Sequence, residues 1–151
     1  MIDVLIEDPA WEAAEPAAAA LAEIAAAAVL THERAPERDI AILLADDARV
    51  GALNATFRGK HAATNVLSFP AAAGAGALGD IALAFGVCAR EAAEHGKTLG
   101  HHLQHLTAHG VLHLLGYDHE SEAEAEAMEA KERVILAGLG VPDPYAPRRN
   151  S

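Results

Sequence analysis

His109, His113 and His119 stand in the stretch HGVLHLLGYDH with three and then five residues between them. On an α-helix, residues four apart are displaced by about 40° around the axis and about 6 Å along it, so two imidazoles at that spacing reach one ion from one face. Gly116 follows the pair, and glycine is the residue that most readily takes the left-handed conformation in which helices end. A chain that turns back there brings His119 to the same point from a second direction. Three imidazole ligands leave the fourth position of a tetrahedral zinc open for water, whose pKa falls to about 7 in such sites. The pattern predicts a hydrolytic centre in which His109, His113 and His119 hold one zinc per chain.

The same stretch offers competing pairs, because His101, His105, His109 and His113 continue at spacing four, with His102 beside the first. Each step drifts by about 40°, which leaves His101 roughly 120° around the axis from His113 and off the face that His119 can approach. His101 and His102 are therefore expected at the surface. His105 is expected as a polar residue at the edge of the site, with a hydrogen bond to a ligand or a nucleic-acid contact as its other possible roles. The spacing H-x-x-x-H-x-x-G-x-x-H is also that of metzincin peptidases, in which a glutamate after the first histidine is the general base. Here that position is Gly110, so a peptidase would need its base from elsewhere, such as Glu120.

Strands are expected where apolar residues alternate or run together: Ile2 to Ile6, the stretch DIAILLA from Asp39 to Ala45 as a central strand, Val66 to Phe69 before Pro70, and Leu78 to Ala84. A helix starts at Glu15-Pro16 with Leu21, Ile24, Ala25, Ala28 and Val29 inward, and ends before Pro36. Asp46 or Asp47 caps the next, with Val50, Leu53 and Phe57 inward and Gly59 as its stop. A helix from Val87 to His95 precedes the histidine helix, Leu99 to Leu115, which buries Leu99, Leu103, Leu106 and Gly110. Ser121 and Glu124 form a capping-box pattern for a last helix with Met128, Ile135, Leu136 and Leu139 inward and its glutamates in solvent. The expected fold is a single α+β domain over residues 1–142, a small mixed four-stranded sheet packed against about five helices, with the zinc site at the end of a central helix. Residues 143–151 are expected as a flexible tail.

The chain has 151 residues, 52% of them hydrophobic, with one tryptophan, two tyrosines and three phenylalanines. A core built on alanine and aliphatic side chains follows, and an aromatic base-stacking platform does not. The net charge of −11 excludes a generally basic nucleic-acid binder, so any polyanion must be met by a local patch. Cys88 is the one cysteine, which rules out an internal disulfide and a cysteine zinc site and suits a reducing compartment, the cytoplasm. Asp3, Glu7 and Asp8 stand where a secretory leader would be basic, and the alanine-rich stretch from Ala17 to Leu30 is short and carries Glu23, as expected of a soluble helix.

Three further stretches join the histidine motif: Leu53-Asn54 with Phe57-Arg58-Gly59-Lys60, then Thr64 to Pro70 (TNVLSFP), then Leu78 to Ile81 (LGDI). With HGVLHLLGYDH they resemble the YbeY family, in the family's order from Leu53 to Glu120. The resemblance implies a bacterial metalloprotein and a single-strand-specific, zinc-dependent endoribonuclease. It would act in late ribosome maturation, notably at the 3′ end of 16S ribosomal RNA, and in ribosome and RNA quality control. The implied partners are single-stranded ribosomal RNA and the small subunit or its assembly factors, with no membrane and no DNA. The alternative function is a ribosome-assembly factor whose zinc is structural.

Under the same resemblance Arg58 corresponds to the family's functionally important arginine. Phosphodiester hydrolysis builds negative charge on the phosphoryl oxygens, and an arginine fork can hold two of them while zinc activates a nucleophile or polarises an oxygen. Arg58 is thus expected to clamp phosphate and, with His113, to be catalytic; outside the resemblance it would be a cation at a helix C-terminus. Lys60 is a candidate to extend the substrate contact, although His61-Ala62-Ala63 departs from the more polar run usual in the family. Asp80 is a candidate to orient a zinc histidine through its other ring nitrogen, or else a structural strand-end aspartate. Ser68 is not read as a nucleophile, Asp118 shapes a turn, and Tyr117 has no assigned role. No general base stands out, so attack by water and attack by the ribose 2′-hydroxyl both remain open.

Overall fold

The computed structural model describes residues 1–36, 38–59, 64–72, 74 and 76–146. Along the chain they form β1 (Ile2–Ile6), α1 (Ala10–Ala14), α2 (Ala18–His32), β2 (Asp39–Ala45), α3 (Asp47–Arg58), β3 (Val66–Pro70), β4 (Ala77–Ala84), α4 (Phe85–Glu94), α5 (Leu99–Leu114) and α6 (Glu122–Gly138). The strands make one mixed sheet in the order β1-β2-β4-β3. β1, β2 and β4 are parallel neighbours, and β3 runs antiparallel to β4. Parallel neighbours cannot be joined by a tight turn, and α1 and α2 supply the crossover from β1 to β2. This is the expected α+β architecture, with six helices among the described residues. The additional one, α1, is five residues long and buries Trp11, too short to show a helical period in the sequence.

Strand alternation gives the sheet two unequal faces. Ile40, Ile42, Leu44, Ile81 and Leu83 join the larger core with Trp11, Val29, Leu103, Leu112 and Leu136. Ala45, Leu67, Ala82 and Ala84 point the other way, into a smaller cluster with Val50 of α3. The helix α5 runs through the larger core, against α2, α4, α6, β3 and β4. Twelve of its sixteen residues are buried, so it is covered nearly all round and its side chains are held firmly.

The side of α2 that is buried consists of Ala18, Ala22, Ala25, Ala26 and Val29. Small side chains let two helices approach closely, and that close approach, rather than the bulk of the larger residues, selects the inward stripe. Ile24, expected inward, is exposed. Phe57, also expected inward, is exposed at the last turn of α3, where its ring rests on Phe69 of the edge strand β3 at 5.3 Å between centroids.

At Gly110 the helix α5 meets the sheet. A Cβ there would lie 3.1 Å from both Ile81 Cδ1 and Ser68 Oγ, and the Ser68 hydroxyl donates to the Gly110 carbonyl at 3.2 Å. Thr98 caps the start of α5 by accepting from the His101 amide at 3.1 Å, and Ser121 caps α6 by accepting from the Glu124 amide at 3.1 Å. After Pro142 the chain makes hydrogen bonds through Tyr145. The Tyr145 amide donates to Asp143 Oδ1 at 2.8 Å, Arg133 Nε to the same oxygen at 3.2 Å, and Lys97 Nζ to the Pro144 carbonyl at 3.3 Å. The rest of the expected tail, residues 147–151, lies outside the described residues.

Candidate metal centre

The helix α5 ends with Leu115 as its cap, and Gly116 follows at φ +102°. The turn there returns the chain so that the ring centroid of His119 lies 5.0 Å from that of His113 and 5.8 Å from that of His109, while His109 and His113 are 4.5 Å apart. One nitrogen from each of the three lies within 4.8 Å of the other two. Asp118 shapes the turn by accepting from the His119 amide at 2.7 Å.

His109 Nε2 and His113 Nε2 face each other at 3.0 Å. The opposite nitrogen of each ring is engaged with the protein: His109 Nδ1 with Glu132 Oε1 at 3.3 Å, and His113 Nδ1 with the Tyr117 carbonyl at 2.9 Å. Those oxygens only accept, so each Nδ1 carries a proton, and the neutral form of such a ring has its lone pair at Nε2. Two lone pairs aimed at each other repel unless a cation lies between them. Tetrahedral zinc, about 2.0–2.1 Å from each nitrogen, would set them about 3.3 Å apart. The pair fits zinc with little movement, and His119, exposed on its loop, is the third residue of the group that could hold the ion. Burial holds the pKa of His113 below the ordinary imidazole value and the neighbouring His109 adds to that, outweighing the Tyr117 carbonyl. The neutral form needed for ligation is favoured.

Sequence reasoning missed the carboxylate that orients His109. Glu132 is fully buried, accepts from His105 Nε2 at 2.9 Å as well as from His109 Nδ1, and receives the Tyr145 hydroxyl at 3.1 Å from each of its oxygens. Burial alone would raise its pKa; the bonds from His105 and His109 outweigh that and hold it at about 2. The glutamates of α6 were expected in solvent, yet the buried residues of that helix are Met128, Glu132, Ile135 and Leu136. Glu132 falls on the apolar stripe, and that placement was the available signal. Tyr117, to which the sequence assigned no role, is held in turn: its hydroxyl donates to Glu33, which also takes Lys131 Nζ at 3.1 Å.

Two other expectations for the histidine series are corrected. His102 is buried rather than at the surface, with Nε2 3.0 Å from Glu91 Oε1, because α5 is covered on nearly every side. His105 is buried as well and shares Glu132 with His109, so it is not an edge residue. Asp80 alternates with Ile81 along β4: Ile81 faces the α5 core and Ala82 the α3 cluster, which sets Asp80 on the α3 side, where it is exposed. It therefore stands on the face of the sheet opposite the α5 core, and the carboxylate at His109 is Glu132. The position of Gly110, against Ile81 and Ser68, also means that a side chain there would enter the sheet and not the metal site.

Arg58 is the last residue of α3. The neighbouring Phe57 rests on one face of β3 through Phe69, while Ser68 on the other face bonds α5. The end of α3 is thus one strand away from the histidine helix. The Arg58 side chain and Lys60 lie outside what the structure describes.

The profile of the family described as Endoribonuclease YbeY matches residues 6–140. The chain is 52% identical over 153 residues to "Endoribonuclease YbeY" of Rhodopseudomonas palustris strain BisB18, covering 95% of this chain and 91% of that protein. It is 49% identical over 160 residues to the protein of the same name from Jannaschia sp. strain CCS1, covering 95% of this chain and 99% of the other. The solution structure of TM1509 from Thermotoga maritima superposes with a TM-score of 0.57 at 24% identity, covering 97% of this chain and all of that one, a likeness of fold.

Proposed function

We propose, from the premise that this chain belongs to the endoribonuclease YbeY family, that it is a zinc-dependent endoribonuclease holding one zinc through His109, His113 and His119. The observation that carries this reading is the pair of Nε2 lone pairs aimed at one point, each fixed by a protein acceptor at Nδ1. Zinc, when bound, supplies Lewis acidity toward a phosphoryl oxygen or a water molecule. The residues of the chain do the rest. Glu132 and the Tyr117 carbonyl fix the ring tautomers, and the buried flank of α5 holds His109 and His113 in place. Arg58 clamps the phosphoryl oxygens as their charge grows, and Lys60 extends that contact along the strand. His113 is catalytic through the ion it holds.

An acidic chain has to meet RNA through local cations. Arg49, Arg90, Lys131 and Arg133 are each paired with a carboxylate. No ion pair among the described residues involves Arg34 or Arg38, both exposed, and they line two grooves that meet at Leu115, one of which reaches Gly116 and Tyr117. These cations flank the centre at the end of α5 and supply a place for single-stranded ribosomal RNA. The substrate is the 3′ region of small-subunit RNA, met in the cytoplasm during late maturation or quality control of the small subunit. Among the described residues no helix is long and apolar enough to cross a membrane. A non-catalytic assembly factor is the second reading, favoured by the exposed Glu122, Glu124 and Glu126 of α6, which suit a basic ribosomal protein.

The test is cleavage of a defined ribosomal RNA fragment by zinc-loaded protein beside His113→Ala and Arg58→Glu, with metal content determined for each. Loss of both zinc and cleavage in His113→Ala, with cleavage alone lost in Arg58→Glu, supports the enzyme. Equal cutting by all three marks a contaminating nuclease and moves the assembly factor ahead. A 2′,3′-cyclic phosphate on the products would assign the attack to the 2′-hydroxyl rather than to water.

A further inference from the structure

The last described residues of the chain reach the hydrogen-bond system behind the histidines. Tyr145 is held by its amide on Asp143, by Arg133, whose guanidinium lies 5.3 Å from the ring centroid, and by the edge-on His105 ring at 5.4 Å. Its hydroxyl meets both oxygens of Glu132 at 3.1 Å and His105 Nε2 at 3.2 Å. Oε1 of Glu132 has three partners, namely His105, His109 and Tyr145; Oε2 has the Tyr145 hydroxyl as its one partner among the described hydrogen bonds.

We infer that the segment from Asp143 to Tyr145 is part of the metal centre, with Tyr145 a positioning residue that fixes the Glu132 carboxylate and, through it, the Nδ1–H tautomer of His109. The inference rests on the reading of the three histidines as zinc ligands. A buried carboxylate needs donors on both oxygens. Without the phenol, Oε2 is a buried oxygen with no donor among the described hydrogen bonds, and the carboxylate relieves this by rotating toward another donor. That rotation loosens the 3.3 Å contact that keeps the proton of His109 on Nδ1, and the ring then spends part of its time with the proton on Nε2, the atom that must ligate. Partners of this kind behind a metal-bound histidine contribute roughly 10–100-fold to metal affinity. Arg133, through Asp143, and Lys97, through the Pro144 carbonyl, tie the segment to α6 and to the turn before α5.

The experiment uses the full chain as wild type, Tyr145→Phe and Glu132→Gln. The zinc dissociation constant is read by competition with a chromophoric chelator, the urea midpoint is read on the same samples, and the ring-nitrogen tautomers of the metal-free proteins are read from long-range proton–nitrogen NMR spectra at pH 8. Tyr145→Phe is expected to weaken zinc binding by about 3–10-fold and Glu132→Gln by about 10–100-fold, with His109 shifting from the Nδ1–H form toward a mixture in Tyr145→Phe while His113 stays Nδ1–H. The tautomer measurement reports on the folded fraction, so it decides even where a variant is less stable. Wild-type zinc affinity and an unchanged His109 tautomer in Tyr145→Phe overturn the inference and leave the metal site standing. Failure of the wild type to bind zinc overturns the metal reading itself, and this inference with it.

Discussion

The two halves of α5 each carry a pair of histidines and use them in opposite senses. In the first half, His102 and His105 spend Nε2 on the carboxylates of Glu91 and Glu132, and each is left with a buried Nδ1 that has no partner among the described residues. In the second half, His109 and His113 spend Nδ1 on Glu132 and on the Tyr117 carbonyl, and their Nε2 atoms are turned toward each other. The first arrangement gives hydrogen-bond donors to a half-buried and a fully buried carboxylate. The second exposes two lone pairs to a common point. A histidine becomes a ligand here according to which ring nitrogen the protein occupies.

The contrast breaks most visibly in metal binding. His109→Ala or His113→Ala is expected to lower zinc affinity by at least about 10³-fold, since a tetrahedral site loses one of three protein ligands, whereas His101→Ala stays within about twofold; chelator competition measures both. If His101→Ala weakens zinc as much, the two halves are not distinct.

Acid unfolding of the metal-free protein tests the carboxylate that the halves share. Glu132 is held at about 2 against an unfolded value of 4.5, so the unfolded chain takes the proton first. Its contribution is complete above pH 4.5 and is lost as pH falls toward 2, on the order of 3 kcal/mol. His102 and His113, held low by burial, start the same downward trend nearer pH 6.5. Urea midpoints against pH should fall through both ranges, and Glu132→Gln should flatten the lower one.

A smaller effect separates the halves by function. His102→Ala removes a buried donor to Glu91 and should cost about 1–2 kcal/mol of stability while zinc affinity stays within about twofold; a large loss of zinc would join the two halves into one site. Smallest is the salt dependence of binding to a non-cleavable single-stranded RNA. Arg34→Gln and Arg38→Gln should each reduce the slope of log affinity against log salt by about 0.7, one phosphate contact apiece, and an unchanged slope would take the RNA elsewhere.

The strands were legible because their apolar runs are bounded by aspartate, glycine and proline, and the caps at Asp46 and Ser121 follow from side chains that can accept from the first turn of a helix. Ile24 and Phe57 were misplaced because periodicity names a stripe without knowing what lies opposite it. Across from α2 the space suits alanine, and the last turn of α3 stands at the sheet's edge. Asp80 was a candidate partner for a histidine ring nitrogen or else a strand-end aspartate, and strand alternation sets it on the α3 face of the sheet. Glu132 escaped because a glutamate is ordinarily a surface residue; only the apolar stripe it shares with Met128 and Leu136 marks it as inward.

By itself the sequence determined the three histidines and the glycine that ends their helix, since spacing on a helix and the left-handed turn are local properties of the chain. Tertiary structure decided which nitrogen of each histidine is free. That choice depends on Glu132, Tyr117 and Tyr145, residues distant from the histidines in sequence or without local signature, whose acceptors and donors must find partners once burial has taken water away.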